Sequence, residues 1–184
     1  MDAAPEPVVQ LDASLVAAAR RGDRSAFGAL YRRHARLVQA VLLARVAPDS
    51  VADLMQDVFL IAMSQLSGLR DDAAFAPWLA TIARRHAADW RRRRRDTVPL
   101  EEVEPEMGTG EGEAADALFA RAALDMISSL PEAYRETLLL RFVAGLSGPE
   151  IAERTGLTHG SVRVNLHRGV ELLRKKLAEG GAHA

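Results

Sequence analysis

The chain has 184 residues, 48% of them apolar, which is enough for one large or two small domains with packed cores. It contains no cysteine, which excludes disulfides and thiolate metal sites, and no apolar run long enough to span a membrane. Met1 to Gln10 carries Asp2 and Glu6 and no basic residue, so it does not read as a signal peptide, and the expectation is a soluble, cytoplasmic protein. The net charge of −1 conceals strong blocks. Residues 1–83 carry −1, residues 84–95 carry +6, residues 96–117 carry −8 and residues 118–184 carry +2. A near-neutral total argues against a nucleic-acid partner; an acidic segment offsetting a basic one argues for it.

Taken in order, Asp12 is placed to cap a helix running to about Arg21, with Leu15 and Val16 apolar. Gly22-Asp23 breaks it, and Asp23 caps the next. That helix carries Phe27, Leu30, Tyr31, His34, Leu37, Val38, Val41 and Leu42 as a sustained helical stripe. After the turn Pro48-Asp49-Ser50, a third helix is expected from about Val51 to Leu66, with Leu54, Val58, Ile61 and Ala62 inward. Gly68 to Asp72 reads as a loop. A fourth helix follows from about Ala76 to Arg95, with Trp78, Leu79, Ile82 and Ala83 apolar. No segment alternates as a strand does.

Asp96 to Ala117 holds two prolines, three glycines and eight carboxylates, a composition that cannot bury enough surface to fold by itself. It is expected to be a flexible acidic linker that reaches about 70 Å when extended at ~3.3 Å per residue. Four helices are expected beyond it, at about Leu118–Ser129, Pro131–Val143, Gly148–Thr155 and Thr158–Ala178, the last stopped by Gly180-Gly181. The fold class is all-α: two small helical bundles, 10–95 and 118–179, joined by the linker 96–117.

The second bundle contains a helix-turn-helix pattern. Ser147 and Glu150 form a capping box, with Pro149 in the first turn, where a missing N–H is harmless. Ile151 and Ala152 follow, and Thr155-Gly156 ends the helix. Leu157 is placed to plug the corner, and Thr158 caps the second helix. There Val162, Leu166, Val170 and Leu173 form one buried stripe, which leaves Ser161, Arg163, Val164, Asn165, His167 and Arg168 for a major groove. An αα-hairpin in a bundle is the plain alternative for this stretch alone.

Two further groups stand out. Arg84, Arg85 and Arg91 to Arg95 repel one another with only Asp89 close by, and a polyanion would relieve that repulsion by counterion release. Phe75, Trp78 and Trp90 lie beside this run. Phe75 and Trp90 are candidates to stack on unpaired bases, and core packing is the plain reading for each. Asp53, Gln56, Asp57 and Phe59 form the second group. Asp53 and Asp57 share a helix face, which suits a solvated face or a protein-docking surface better than acid–base or metal chemistry. His34, His86, His159, His167 and His183 show no metal-ligand spacing, and there is no Walker loop, nucleophile motif or dinucleotide turn. No enzyme, cofactor or metal is expected.

Together these motifs resemble a family. Leu15 to His34, then D-L-M-Q-D-V-F-L from Asp53 to Leu60, then Phe75 to Arg95, resemble region two of an extracytoplasmic-function (ECF) sigma factor. Leu130 to Ala152 and G-S-V-R-V-N-L-H-R-G from Gly160 to Gly169 resemble its region four. The resemblance covers both bundles in order. It implies a dissociable subunit of bacterial RNA polymerase that recognises a −10 element through region two and a −35 element through region four, commonly under an anti-sigma factor. It places Asp53, Gln56, Asp57 and Phe59 on the polymerase-docking face. It gives Phe75, Trp78, Arg84, Arg85, His86, Trp90 and Arg91 to the −10 surface, and Ser161, Arg163, Val164, Asn165, His167 and Arg168 to the −35 surface. The chain departs from the common family pattern at Arg85, where Asn is frequent, and at Val164-Asn165, so promoter preference does not carry over. The linker's reach covers about two turns of B-DNA at ~34 Å each, as two separated promoter elements require. The rival readings are a free-standing helix-turn-helix regulator and a helical adaptor that binds only protein. Behind them comes an enzyme with Asp53 and Asp57 as its carboxylates.

Overall fold

The structure, a computed structural model, describes residues 8–97 and 111–181. Among them are eight α-helices and no strand: α1 (Val8–Arg20), α2 (Arg24–Leu43), α3 (Val51–Gln65), α4 (Phe75–Thr97), α5 (Glu111–Ser128), α6 (Glu132–Phe142), α7 (Gly148–Thr155) and α8 (His159–Gly181). The middle of the expected linker and His183 lie outside the described residues.

Most helix boundaries follow local chemistry. Asp23 caps α2, accepting from the backbone N–H groups of Ser25 and Ala26, and the chain reaches it through Gly22 at φ 93°, a left-handed conformation that suits glycine. The Ser25 hydroxyl, which donates to the same carboxylate at 2.7 Å, and those two N–H groups favour the ionised form and hold Asp23 below the usual aspartate range. The α7 capping box is complete: Ser147 Oγ accepts from the Glu150 N–H, and Glu150 accepts from the Ser147 N–H at 2.8 Å. Gly156, at φ 77°, closes the other end.

Four expectations are corrected. Asp12 caps nothing: it lies inside α1 as a buried carboxylate, 2.9 Å from Arg33 Nε and 2.9 Å from His34 Nε2. The His34 contact is one of charge and distance, and neither ring nitrogen of His34 makes a hydrogen bond. Burial pushes the Asp12 carboxyl up, but His34 and Arg33 together pull it below the usual aspartate range. Second, the segment 96–117 is not without structure: α4 runs on to Thr97, and α5 begins at Glu111. Third, α8 takes in Gly180 and ends at Gly181, three residues beyond the expected Ala178. Fourth, Leu157 does not plug the corner of the helix-turn-helix; it is 39% exposed.

The core of the first half is built on α2, α3 and α4, with Leu30, Val38, Leu42, Val58, Leu79 and Ala83 buried. It continues without a break into the second half through Leu139, Leu140, Ile151 and Val162. Helix α6 packs on α2, α7 packs on α4, and α6 packs on α8. The α6–α8 approach depends on Gly169, where a Cβ would stand 2.9 Å from Leu138 Cδ1.

Candidate nucleic-acid and polymerase interfaces

Helix α3 turns one polar row outward. Asp53, Gln56 and Asp57 are all exposed, and the row continues into Leu60 and Met63, at 60% and 52% exposure. Two exposed apolar side chains beside two carboxylates make a face suited to another protein. Phe59 does not belong to it. Its ring is buried under Tyr31, 4.5 Å between centroids, because position 59 follows the inward row with Val58. Tyr31 supplies the exposed aromatic instead. Sequence reading missed Leu60 and Met63; Leu60 lies one helical turn beyond Gln56 and Met63 one turn beyond Leu60 on the same row, a signal present in the pattern.

The residues expected to meet the −10 element lie along α4 but not on one surface. Phe75 is fully buried, 5.3 Å from the His34 ring and 5.8 Å from Trp78, so it offers no face to a base. This is a correction: Phe75 opens α4 on the side that packs against α2. Trp78 and Trp90 are half-buried against the core. Arg94 lies over the Trp90 ring at 5.0 Å, and Arg92 pairs with Asp89. Arg85 and Arg91 are exposed. Arg84 and His86 are engaged elsewhere. Arg84 grips Glu136 of α6 through Nε at 3.0 Å and Nη2 at 2.8 Å. His86 Nε2 lies 3.0 Å from Asp57 Oδ2, which joins α4 to the outward row of α3.

Helix α8 opens cleanly. Thr158 Oγ1 accepts from the Ser161 N–H at 3.1 Å, the cap expected there. Val162 is buried at 1%, which turns Ser161, Arg163, Val164, His167 and Arg168 to solvent. Exposed arginines and short polar groups on the first turns of a second helix are a surface that can enter a major groove and read bases. Asn165 does not share that surface: its amide is directed at Thr137 Oγ1 of α6, 3.5 Å away. It lines a cleft of ≈ 450 Å³ between the two halves, together with Arg84, Glu132, Glu136, Thr137 and Leu157.

Around that cleft the halves are bonded to each other. Arg45, just beyond the end of α2, reaches Glu136 at 2.7 Å and Glu132 at 2.9 Å. Arg135 donates to the Ala44 carbonyl at 2.9 Å, and Arg121 meets Asp49 at 3.1 Å. Burial pushes Glu136 up, but Arg45 and Arg84 pull it below the usual glutamate range. Among the described residues no group of three or more His, Asp or Glu side chains is arranged to hold a metal, and no helix is long and apolar enough to cross a membrane.

An all-α scaffold that carries a helix-turn-helix in one half and a basic helix in the other defines a two-part DNA-binding protein. The model of Sigma-70 region 2 matches residues 30–97, and that of Sigma-70, region 4 matches residues 120–173. The chain is 34% identical over 163 residues to RNA polymerase sigma factor CarQ of Myxococcus xanthus, covering 87% of this chain and 94% of that one. It is 33% identical over 186 residues to ECF RNA polymerase sigma factor SigD of Mycobacterium tuberculosis, covering 95% of this chain and 87% of that one. The solved structure of CnrH in complex with the cytosolic domain of CnrY superposes with a TM-score of 0.68 at 27% identity, over 92% of this chain and 98% of that one. The chain belongs to the ECF sigma factors of the sigma-70 family. It is an RNA polymerase sigma factor, which brings core polymerase to promoter DNA and promotes initiation.

Proposed function

We propose that the first half, residues 10–95, docks on polymerase and handles the −10 element, and that residues 118–179 read the −35 element, with 96–117 connecting them. Polymerase docking falls to Asp53, Gln56 and Asp57, extended by Leu60 and Met63. The −10 surface comprises Arg84, Arg85, His86, Trp90 and Arg91, with Trp78 supporting it. The −35 surface comprises Ser161, Arg163, Val164, His167 and Arg168. The protein works in the cytoplasm without catalytic activity of its own; opening a duplex costs a few kcal/mol per unstacked base, which polymerase supplies. An anti-sigma factor controls it, as the partner named with CnrH suggests.

The observation that carries this reading is the outer face of α8, where arginines and short polar groups stay exposed while Val162 anchors the helix. The test is transcription from fragmented genomic DNA with core polymerase, with and without the protein. New 5′ ends that share two spaced upstream elements are the expected result. No new starts from folded, inhibitor-free protein would return the chain to a polymerase-independent regulator.

A further inference from the structure

The two DNA-reading helices meet at one cleft: Arg84 of α4 and Asn165 of α8 both line it. Two promoter elements need their readers apart by a distance on the order of two turns of B-DNA, ~34 Å each. The arrangement described above therefore cannot serve both elements at once, and something must hold it and something must release it.

The charges at the seam show what holds it. Arg45, Arg84 and Arg135 converge there, and Arg91 stands near enough to Arg135 to repel it. Two carboxylates oppose them. Glu132 is 56% exposed and meets only Arg45; Glu136 is 14% exposed and meets both Arg45 and Arg84. Without Glu136 only the exposed Glu132 is left to oppose the converging guanidinium groups. A guanidinium bound through two nitrogens to a carboxylate oxygen is also poised to exchange it for a phosphate oxygen, which offers the same geometry.

We propose that Glu136 is an intramolecular latch: it holds the two halves closed through Arg45 and Arg84, and DNA phosphate opens the protein by taking Arg84 from it. The first part rests on contacts alone. The second rests on the reading of Arg84 as a DNA contact. Glu136 thus acts as an internal stand-in for the polyanion, and the free protein is kept in a form that cannot engage both elements at once.

The experiment uses the full chain, which has no cysteine of its own. Cysteines at the exposed positions Ser67 and Ser129, one in each half, carry a donor and an acceptor dye. The parent is expected to show one closed population by single-molecule energy transfer. Glu136→Gln and Arg45→Gln are each expected to move a large share of molecules to lower transfer, with helicity unchanged. Binding to a mixed-sequence DNA duplex is expected to tighten by roughly 5- to 30-fold in Glu136→Gln, since affinity scales with the open fraction. Arg45→Gln is the sharper arm: it removes a positive charge, so simple electrostatics predicts weaker DNA binding and the latch predicts tighter binding. Unchanged transfer in folded Glu136→Gln and Arg45→Gln overturns the latch, and should Glu136→Gln fail to fold, Arg45→Gln decides alone. Lower transfer without tighter DNA binding overturns the exchange at Arg84. Failure of the parent to direct transcription would instead strike the sigma reading, leaving the transfer result standing.

Discussion

Helices α4 and α8 are both 23 residues long and both carry arginines, yet they present their chemistry in opposite ways. Arg163, Val164, His167 and Arg168 on α8 stand free of the scaffold, whereas α4 gives Phe75 to the core, Arg84 to Glu136 and His86 to Asp57. The −35 surface proposed for α8 is preformed, and the −10 surface proposed for α4 is held in reserve. Such a division suits the two tasks: groove reading needs a rigid helix, while strand capture must wait until polymerase is present.

The largest expected effect lies on α3. Asp57→Arg should weaken binding to core polymerase by about 30-fold or more, the loss of a central contact residue, with circular dichroism unchanged because Asp57 is exposed. Unaltered binding in a fluorescence titration would remove the outward row from the docking face. Next, Gly169→Val should destabilise the second half by about 1–3 kcal/mol through overpacking, because Leu138 already occupies the space its side chain needs. A urea midpoint equal to the parent's would show that α6 yields freely. Arg168→Ala should cost about 1–3 kcal/mol in −35 recognition if it reads a base, whereas Asn165→Ala, aimed at Thr137, should leave the −35 preference unchanged. A selection of promoter variants measures both, and the opposite pattern would reverse the assignment of the two faces.

The mildest effect is with pH. Asp12 and Glu136 are both held below their ordinary values by cationic neighbours. Their contribution is therefore complete above the ordinary carboxylate range of about 4 and is lost as pH falls through the lower folded values. Thermal stability should be flat from neutral pH down to that range and decline below it, with the decline reduced in Asp12→Asn. A stability loss already under way near neutrality would point to histidine instead.

Local chemistry made much of this legible. The capping box at Ser147 and Glu150, the cap at Asp23 and the stop at Gly156 are decided within one turn of chain, and the sequence displays all three. Asp12 misled because a carboxylate near a helix start reads as a cap, while its partners Arg33 and His34 lie about twenty residues away. Phe59 and Phe75 misled for a related reason: an aromatic beside polar residues can point either way, and packing against α2 settled both inward. Asn165 sits beside solvent-facing Val164, yet α6 captures its amide. The seam at Glu136 was invisible, since its ion pairs join residues 52 and 91 positions apart and no periodicity records them.

The bond between His86 and Asp57 joins a residue proposed for polymerase docking to one proposed for promoter reading. Two binding events that draw on one contact are thermodynamically linked, and the linkage runs both ways with equal strength. Whatever polymerase changes in DNA affinity by engaging Asp57, DNA must change in polymerase affinity by engaging His86. A double-mutant cycle on Asp57→Asn and His86→Gln, read once as polymerase binding and once as promoter binding, measures that cooperativity directly. A coupling energy of zero would make the two surfaces independent, and the pair merely a brace between α3 and α4.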